Sequence, residues 1–522
     1  MRWLLVLAGL LTATGAHAQP ADKSTLRFVL VNDLASLDPV ISTAAFVRNH
    51  GFAVYDQLFA LDSKGVAQPQ MVGKWSVSAD GRDYSFTLRD GLTFHDGSKV
   101  RAADAVASVK RWSQRDVVGR ALAAATASME AIDETTFTIK LARPFALVTE
   151  ALARPTASAL FVMPERIANT PVSTAITDAT GSGPFIFEKD LWRVGDRAIY
   201  RRNPAYQPRA EAPDGLAGGK VAKLERLEWR AIPDPATAAA ALQAGEIDLI
   251  EQPSPDLYAT LERNPNIKTM AINAVGSIVW LRLNHTQPPF NDPKVRQALL
   301  YLVNQKDNLD AAGIRPSEQV PYCGAWFLCG SPLESDAGAR GMREADIAKA
   351  KAILAEAGYK GEKVVFMNAA DSPINNAVTL TMSEAFRKGG LNMDVVTMDW
   401  ATLTQRRNKR EAPDQGGWNL FVTVANVLDG GSPLTNLYLA SPCQGGIAGW
   451  PCDQQLEDLR RAWWEESDPA KRTIAMEKVH ARGYEVLPYI NGGQFRTLAA
   501  YRSNVVGLRA TTIPVFWGVE KN

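Results

Sequence analysis

The chain has 522 residues, with 57 lysines and arginines against 56 aspartates and glutamates and a formal net charge of +1 at pH 7. This balance gives no electrostatic reason for binding to nucleic acid or to an anionic membrane, so neither is predicted as a partner. A chain of this length exceeds the size at which a single hydrophobic core stops growing. Two or more lobes with a cleft between them are therefore expected.

The first predicted element is a secretory signal peptide at residues 1–18. It contains one basic residue, an apolar run at residues 3–11, and small residues that end in Ala-His-Ala. No cysteine follows the apolar run, which argues against a lipid anchor, and no later segment supplies the roughly 18 apolar residues of a membrane span. The mature protein is predicted to begin at Gln19 and to be exported to the periplasm.

Strands and helices alternate in the mature chain. The apolar run Thr25–Val31 and the alternating residues of Tyr84–Leu88 predict strands. Two alanine-rich segments predict helices that end at Gly245 and Gly358. Short apolar strands are predicted directly after them, at Ile247–Ile250 and Lys363–Met367. This order of elements predicts an α/β fold.

Later segments add helix starts and one long loop. Asn291 or Asp292 is expected to cap a helix that begins near Pro293, and Asp468 is expected to cap the second of two helices near the C-terminus. The proline- and glycine-rich stretch Pro204–Gly219 predicts a long surface loop.

The four cysteines form two close pairs in the sequence, Cys323 with Cys329 and Cys443 with Cys452. In an oxidising compartment, local pairing into two disulfides is predicted from three possible connectivities. A zinc site built from all four cysteines is the alternative, although neither pair has the usual gap of two to four residues.

Signatures of common enzymes are missing from the sequence. There is no G-x-S-x-G, H-E-x-x-H, G-x-x-x-x-G-K-[ST] or G-x-G-x-x-G. After the signal peptide, no two histidines lie within one helical turn of each other; they are His50, His95, His285 and His480. No catalysis, cofactor or metal is therefore predicted, with a secreted hydrolase of noncontiguous site as the alternative.

The segment Gly73–Arg111, GKWSVSADGRDYSFTLRDGLTFHDGSKVRAADAVASVKR, resembles the signature region of the family 5 solute-binding proteins of ABC importers. Further segments of the same family follow in order. They are SLDPV, GSGPF, LQAGEIDL, LNHTQPPFNDPKVRQAL and AKAILAEAGY. The resemblance covers nearly the whole mature chain.

This resemblance implies a two-lobed periplasmic binding protein of type II, in the large peptide-binding class. The first lobe would comprise residues 19–273 and 488–522, and the second lobe residues 274–487. Crossings near Ile272–Val279 and Val486–Ile490 would form the hinge. A peptide or another amine-bearing ligand would close the lobes, and the protein, expected to be a monomer, would deliver it to a permease and ATPase in the inner membrane.

The stretch NVLDGGSP, at residues 426–433, resembles the acidic loop with which peptide receptors of this family receive a ligand ammonium group. Asp429 and Pro433 match the loop, whereas Asn426 and Ser432 replace its aromatic residue and its second acid. The resemblance implies Asp429 as the ligand contact, with Asn426 beside it. The alternative is that Asp429 only forms a turn, because Asp-Gly is a strong turn signal.

Three aromatic residues are expected at the rim of the cleft by the same resemblance: Phe46, Trp418 and Tyr489. Packing in the core is the alternative for each of them.

One departure from the dipeptide receptors affects the expected ligand. Those receptors hold the peptide carboxylate with an arginine soon after the strand predicted here at Lys363–Met367, yet Asn368–Val378 contains no basic residue. Arg406, Arg407 and nearby basic residues lie downstream in a polar run that is typical of a solvated face. A sugar, an opine-like amino compound or a chelated metal therefore stays open as the ligand, as does a role as partner of a membrane sensor.

Overall fold

The computed structural model of the protein describes residues 23–29, 33–156, 158–273, 275–426, 430–511 and 513–522. The signal peptide predicted at residues 1–18 lies outside this range. Strands and helices alternate over the described residues and form two large sheets, one small sheet and two short ribbons. The predicted α/β class is confirmed.

The first large sheet joins distant parts of the described chain. Its seven strands are, in order, β12 (Ile267–Ala271), β19 (Leu498–Arg502), β11 (Leu249–Ile250), β1 (Thr25–Val29), β10 (Arg226–Arg230), β9 (Arg197–Arg202) and β8 (Phe185–Phe187). Strand β1 runs parallel to both β10 and β11. Four of its five residues are buried, which agrees with the apolar run that predicted this strand.

The second large sheet comes from the later half of the chain. Its six described strands are, in order, β14 (Gln319–Val320), β18 (Tyr489–Phe495), β13 (Ser277–Leu283), β17 (Leu420–Asn426), β15 (Lys363–Ala369) and β16 (Asn392–Met398). Strand β15 runs parallel to β16 and β17, whereas β13 runs antiparallel to β17 and β18.

The chain passes between the two large sheets at two adjacent places. It goes from β12 to β13 through residues 272–276, and from β18 to β19 through residues 496–497. Ala271 pairs with Leu498 in the first sheet, and Ser277 pairs with Phe495 in the second sheet. The two crossings therefore lie side by side, and the first falls within the predicted hinge segment Ile272–Val279, whose role as a hinge stays a prediction.

The second crossing lies later than the predicted boundary after residue 487. Tyr489–Phe495 still pairs with β13, so this strand belongs to the second sheet. Its Asn-Gly-Gly sequence is typical of a turn, but here Gly492 allows two side chains to approach the strand closely. A Cβ at Gly492 would lie 2.8 Å from Met382 Cε and 3.0 Å from Val279 Cγ1. Close packing, and not a turn, explains that glycine.

The remaining strands are short or form a separate small sheet. The small sheet has the order β4 (Val72–Val77), β5 (Asp83–Leu88), β7 (Thr136–Leu141) and β6 (Thr126–Ala131), and the ribbons are β2 (Phe59–Leu61) with β3 (Ala67–Pro69) and β20 (Val505–Val506) with β21 (Glu520–Lys521). Strand β5 contains the predicted strand Tyr84–Leu88. Its apolar residues pack inward on one face, and its polar residues alternate with them.

The described α-helices are α1 (Ala45–Val54), α2 (Ala102–Trp112), α3 (Val117–Ala125), α4 (Val148–Ala153), α5 (Glu165–Ala168), α6 (Pro235–Ala244), α7 (Tyr258–Glu262), α8 (Pro293–Leu299), α9 (Gln305–Ala311), α10 (Ile347–Glu356), α11 (Pro373–Lys388), α12 (Trp400–Arg406), α13 (Gln454–Glu465) and α14 (Pro469–Val486). Short 3-10 turns occur at Lys189–Leu191, Pro255–Leu257 and Pro413–Gln415. None of the described helices is long and apolar enough to cross a bilayer.

The predicted helix ends are confirmed by their caps. Asp292 accepts a hydrogen bond from the amide of Lys294 at the start of α8, and Asp468 accepts one from Lys471 at the start of α14. Gly245 ends α6 in the left-handed conformation, at φ 79°. These local signals hold because each cap satisfies backbone groups that the helix itself leaves unpaired.

Candidate functional site

In both large sheets, the parallel strands have their carboxyl ends on the side where the chain crosses between the sheets. In the first sheet β1, β10, β11 and β12 share this carboxyl edge, and in the second sheet β15, β16 and β17 do so. Asn426, the last residue of β17, pairs with Ser277 at the start of β13, directly after the first crossing. Ligands of open α/β sheets bind outside the carboxyl ends of the strands. The candidate site therefore lies between the two carboxyl edges.

The predicted acidic loop leaves β17 at this edge. Asp429, the predicted ligand contact, lies outside the described residues, as do residues 427 and 428. Asn426 ends the strand and is partly buried. The strand before the loop thus ends at the expected edge, while the ligand contacts of Asp429 and Asn426 stay predictions.

The chain immediately after the loop packs on an indole. A Cβ at Gly430 would lie 2.6 Å from Cζ2 of Trp280, which is closer than real Cβ atoms come. Ser432 and Thr435 follow, with their hydroxyl oxygens 2.9 Å apart. The glycine that resembles turn punctuation in the sequence is therefore required for contact with Trp280.

Four aromatic residues, Trp280, Trp326, Tyr438 and Tyr489, pack together beside Gly430 and are called the aromatic support. The ring centroids of Trp280 lie 4.7 Å from Tyr438 and 4.9 Å from Tyr489, and Trp326 lies 4.7 Å from Tyr489. The hydroxyl of Tyr489 donates to the carbonyl oxygen of Trp326 at 2.8 Å and accepts from Asn436 Nδ2 at 2.8 Å. Such aromatic pairs and hydrogen bonds hold buried rings in one arrangement.

Tyr489 is fully buried inside this support. Its ring packs against Trp280 and Trp326, and its hydroxyl accepts from Asn436. The structure gives it no exposed surface for a ligand, so the alternative of core packing describes its position.

Arg282 connects the support to the surrounding loops. Its Nε donates to Ala448 O, and its Nη1 donates to Tyr438 O and Pro488 O, at 2.6 to 2.8 Å. The guanidinium lies 4.9 Å from the centre of the Tyr438 ring. Burial lowers the pKa of Arg282 to about 10. Carbonyl oxygens and a ring face thus surround this buried cation.

Two disulfides close the loops that supply parts of this support. Cys323 pairs with Cys329 around Trp326, and Cys443 pairs with Cys452 around Ala448. The predicted local pairing is confirmed. The alternative zinc site of four cysteines is wrong, because all four sulfur atoms are consumed in disulfide bonds.

Trp418 lies at the amino end of β17, two residues before the strand begins, and so at the edge opposite the candidate site. Its side chain is fully buried beside Phe421, and its indole donates to Arg407 O at 2.9 Å. Nothing in this arrangement supports a place for Trp418 at the rim. The sequence order misled here because a strand carries its two ends to opposite edges of a sheet.

Phe46 is the second residue of α1 and follows the segment that leaves β1. It is partly buried against the core of the first sheet. Of the three aromatic residues expected at the rim, it is the one with surface left to touch a ligand. Its contact with a ligand stays a prediction.

Amide side chains occupy the carboxyl end of β15, where the sequence contains no arginine. Asn368 Nδ2 donates to Asn376 Oδ1 at 2.8 Å. The side-chain oxygens of Asn368 and Asn375 are buried and have no partner among the described residues. This end of the sheet therefore has buried amide oxygens that can accept hydrogen bonds, and no arginine or lysine follows β15 directly in the sequence.

The four histidines of the mature chain belong to separate packing sites. His50 bonds Tyr200, His95 bonds Gly183 O and His285 bonds Leu487 O, while His480 packs against Phe327. Burial lowers the pKa of each. No group of three or more potential metal ligands occurs within the described ranges.

Sequence reasoning missed Trp280, Trp326, Tyr438 and Arg282. They come from one strand and two loops, so no spacing in the sequence connects them. A single signal was available, because Arg282 interrupts the apolar run that follows Ser277 in this strand. A charge inside a buried run indicates a dedicated set of hydrogen-bond partners.

Comparisons with known proteins identify the family of the chain. The profile of the bacterial extracellular solute-binding proteins, family 5 (middle region), matches residues 66–446. A probable peptide ABC transporter periplasmic-binding protein of Sinorhizobium fredii, y4tO, is 37% identical over 99% of this chain and 96% of its own length. The glutathione-binding protein GsiB of Escherichia coli K12 is 28% identical over 96% and 95%, respectively.

A solved structure shows the same fold. The periplasmic binding protein AgaA from A. tumefaciens R10, in complex with agropinic acid, matches with a TM-score of 0.73 and 23% identity over 95% of this chain and 99% of that chain. The profile covers well over half of the chain, and the Sinorhizobium relative extends over almost all of it. The chain belongs to the bacterial extracellular solute-binding proteins, family 5.

Proposed function

We propose that the protein is the periplasmic binding component of an ABC importer for a peptide or another small amine-bearing compound. The observation that carries this proposal is the position of Asn426, which ends β17 at the carboxyl edge beside both chain crossings and directly precedes the acidic stretch in the sequence. An acid at that edge can meet a ligand held between the two sheets. The peptide-transport name of the 37% identical relative supports the ligand class.

Asp429 receives the ammonium group of the ligand in this proposal. A carboxylate and an ammonium that leave water together form a strong pair when their remaining hydrogen bonds are satisfied. The aromatic support, with Trp280 against Gly430, fixes the residue that directly follows Asp429 in the sequence. A loop held in advance loses less conformational entropy on binding.

Ligand capture then follows from two-state motion of the lobes. In the described part of the chain, the backbone passes between the two large sheets at residues 272–276 and 496–497, so small backbone changes there can open the cleft. A ligand that touches both lobes favours the closed form because it binds that form better. The closed form, acting as a monomer, delivers the ligand to a permease, and a partner ATPase supplies the energy.

A second candidate is a non-peptide ligand such as an opine-like compound. The buried oxygens of Asn368 and Asn375 favour it, since they would accept hydrogen bonds from hydroxyl, amide or amine groups. Both candidates use the same cleft and the same acid. They differ in the chemical group at the end of the ligand that is opposite the ammonium group.

The first test is mass spectrometry of the mature protein purified from an exporting host. Native and denaturing spectra are compared for a small molecule that is released on unfolding. A released series of short amine-bearing species supports a peptide receptor, and a single amine-bearing mass of other composition supports the second candidate. Release of compounds without any amine would contradict the proposed role of Asp429.

A further inference from the structure

Arg315 binds two carboxylates that come from different sides of the chain crossings. It follows α9, in the part of the chain between the two crossings. Its Nη1 and Nη2 donate to the carboxylate of Glu262 at 2.9 and 3.3 Å, and its Nε donates to the carboxylate of Glu318 at 2.9 and 3.0 Å. Glu262 ends α7, before the first crossing, whereas Glu318 directly precedes β14 of the second sheet. One planar guanidinium therefore joins the two halves of the protein.

Each of these two acids is fixed to its own sheet. Glu262 Oε1 accepts a hydrogen bond at 2.9 Å from the hydroxyl of Thr269, which lies on β12 of the first sheet. Glu318 has a side chain that is 5% exposed, and it directly precedes Gln319, which pairs with Phe495 in the second sheet. A movement of one sheet relative to the other at this place would therefore separate one of the acids from the guanidinium.

The backbone of the second crossing is held by the same group of residues. On the side of the second sheet, the amide of Arg496 donates to the carbonyl oxygen of Glu318 at 2.8 Å. On the side of the first sheet, the amide of Leu498 donates to the hydroxyl of Tyr258 at 3.3 Å. The guanidinium of Arg315 lies 4.9 Å from the centre of the Tyr258 ring. Arg315 thus contacts one residue on each side of the crossing at residues 496–497.

The ion pair of Arg315 and Glu262 is charged at neutral pH and only moderately strong. The hydrogen bonds from Arg315 hold the pKa of Glu262 below its usual range. The two side chains are 34% and 37% exposed, so water screens their attraction, and such a pair changes an equilibrium constant by about twofold to fivefold. That factor is small for folding, but it matters for a movement between two forms of similar free energy.

The two halves of the protein also meet at a second place. The amide of Ala146, just before α4, donates to the carbonyl oxygen of Trp464 on α13 at 3.0 Å. Glu150 on α4 lies 3.7 Å from Arg472 on α14. Helix α4 precedes the first crossing, whereas α13 and α14 lie between the crossings. Contact at α4 in addition to contact at the crossing is expected for a closed arrangement of two lobes.

We propose that Arg315 is a positioning residue that favours the closed arrangement of the lobes before any ligand binds, by joining Glu262 of the first lobe to Glu318 of the second. Opening would separate Arg315 from Glu262, because each acid stays with its own sheet. A larger closed population in the empty protein raises the affinity for every ligand that prefers the closed form. This inference rests on the lobe motion of the proposed function, but its residues do not contact the ligand there.

Small-angle X-ray scattering of the mature protein tests the proposal without a ligand. The protein is first freed of co-purified compounds by unfolding in urea and refolding with its disulfides intact. The radius of gyration is then compared between the wild type and Arg315→Met, which removes the charge and the donors but keeps an unbranched side chain. We expect a larger radius in the variant, with a ratio of open to closed forms about twofold to fivefold higher. Equal radii in the two proteins would overturn the proposal.

Arg482→Met is the matched control. Arg482 also binds two acids, Asp453 and Glu485, and is 27% exposed, but all three residues lie between the crossings. Both variants should lose a similar part of the free energy of unfolding in urea, whereas only Arg315→Met should open the protein. An equal increase of the radius in Arg482→Met would mean that the opening is a general loosening, and the proposal would fail.

Glu262→Gln tests the same pair from the first lobe and replaces Arg315→Met if that variant does not fold. It should also increase the radius of gyration, and the double variant should open no further, because both changes remove one contact. Raising NaCl to about 1 M should open the wild type more than Glu262→Gln, since salt screens an exposed pair. Additive opening in the double variant, or a wild type that does not respond to salt, would contradict the role of Arg315. Either result leaves the proposed function standing, because no measurement here uses a ligand.

Discussion

The hydroxyl of Tyr489 donates a 2.8 Å hydrogen bond to the carbonyl oxygen of Trp326, 163 residues away in the sequence. The bond links strand β18 of the second sheet to the loop closed by Cys323 and Cys329. Trp280 packs on the same tyrosine ring and supports Gly430 on its other side. The buried side chain of Tyr489 therefore connects the loop closed by Cys323 and Cys329 with Trp280, which packs against Gly430.

Tyr489→Phe should lower the free energy of unfolding by about 1–3 kcal/mol, because the buried groups of Trp326 and Asn436 lose their partner. Urea unfolding measures this change. Tyr501→Phe is the control, since that tyrosine is partly exposed, and it should change the stability far less. Equal effects of the two substitutions would show that the buried hydrogen bonds of Tyr489 contribute nothing specific.

Asp429→Ala should abolish binding of amine-bearing ligands without lowering the melting temperature of the empty protein. Removing one partner of a desolvated charge pair typically costs about 2–5 kcal/mol of binding free energy. Calorimetry with the released ligand measures the loss. Asp414→Ala, an exposed acid in the 3-10 turn before β17, should keep full affinity. Unchanged affinity in Asp429→Ala would mean that Asp429 does not contact the ligand and only forms a turn.

Both disulfides should be present in the exported protein. Alkylation without a reductant, followed by mass spectrometry, should detect no free thiol. Replacing Cys323 and Cys329 together by alanine should destabilise the protein by about 2–3 kcal/mol, the loop-closure value for so short a loop. Four alkylated cysteines would contradict the pairing.

The pair of Lys220 and Asp56 is buried, with side chains 1% and 0% exposed and an N–O distance of 2.6 Å. Lys220→Met should destabilise the protein by about 3–5 kcal/mol, because Asp56 would keep a buried charge without its cation.

Lys223 with Glu520 is a matched pair, at 3.0 Å but 44% and 46% exposed. Lys223→Met should cost less than about 1 kcal/mol, because water screens that pair. Urea unfolding of the two variants under the same conditions tests the contrast. Similar losses would mean that burial does not control the strength of these ion pairs.

His50 should make the protein less stable in mild acid. Burial lowers its pKa to about 3, whereas an unfolded histidine titrates near 6.5. Below pH 6.5 the unfolded chain therefore binds a proton that the folded protein does not, and stability falls as the pH falls. From pH 7.5 to pH 5 this histidine should cost about 2 kcal/mol.

His50→Phe should remove that part of the pH dependence. The free energy of unfolding, measured by urea at several pH values between 7.5 and 5, should fall less steeply in the variant than in the wild type. The other buried histidines, whose pKa values are also lowered by burial, should retain part of the slope. Parallel slopes in the two proteins would show that His50 titrates normally in the folded state.

Much of the fold followed from short stretches of sequence. The caps at Asp292 and Asp468, the helix end at Gly245 and the strand that begins at Thr25 were all predicted at their observed positions. Each depends on neighbours within a few residues, which the sequence displays directly. The local cysteine pairs followed in the same way, since short loops close at low entropic cost.

Predictions failed where the location of a residue depends on its place in a sheet and not on its neighbours in the sequence. The second crossing was predicted near Val486–Ile490, but Tyr489–Phe495 continues as a strand of the second sheet and the chain crosses at residues 496–497. Trp418 stands beside the acidic stretch in the sequence, yet the length of β17 separates it from that edge. Neither fact is visible in local patterns.

The sequence by itself determined the α/β class, the family and the pairing of the cysteines, because these depend on periodicity, motif order and short-range loop closure. Only the tertiary structure decided which side chains pack beside Gly430, directly after the acidic stretch. Trp280, Trp326 and Tyr489 meet there from two strands and a disulfide loop. Such contacts result from the pairing of whole strands and the packing of loops on them, and no local pattern specifies the partners.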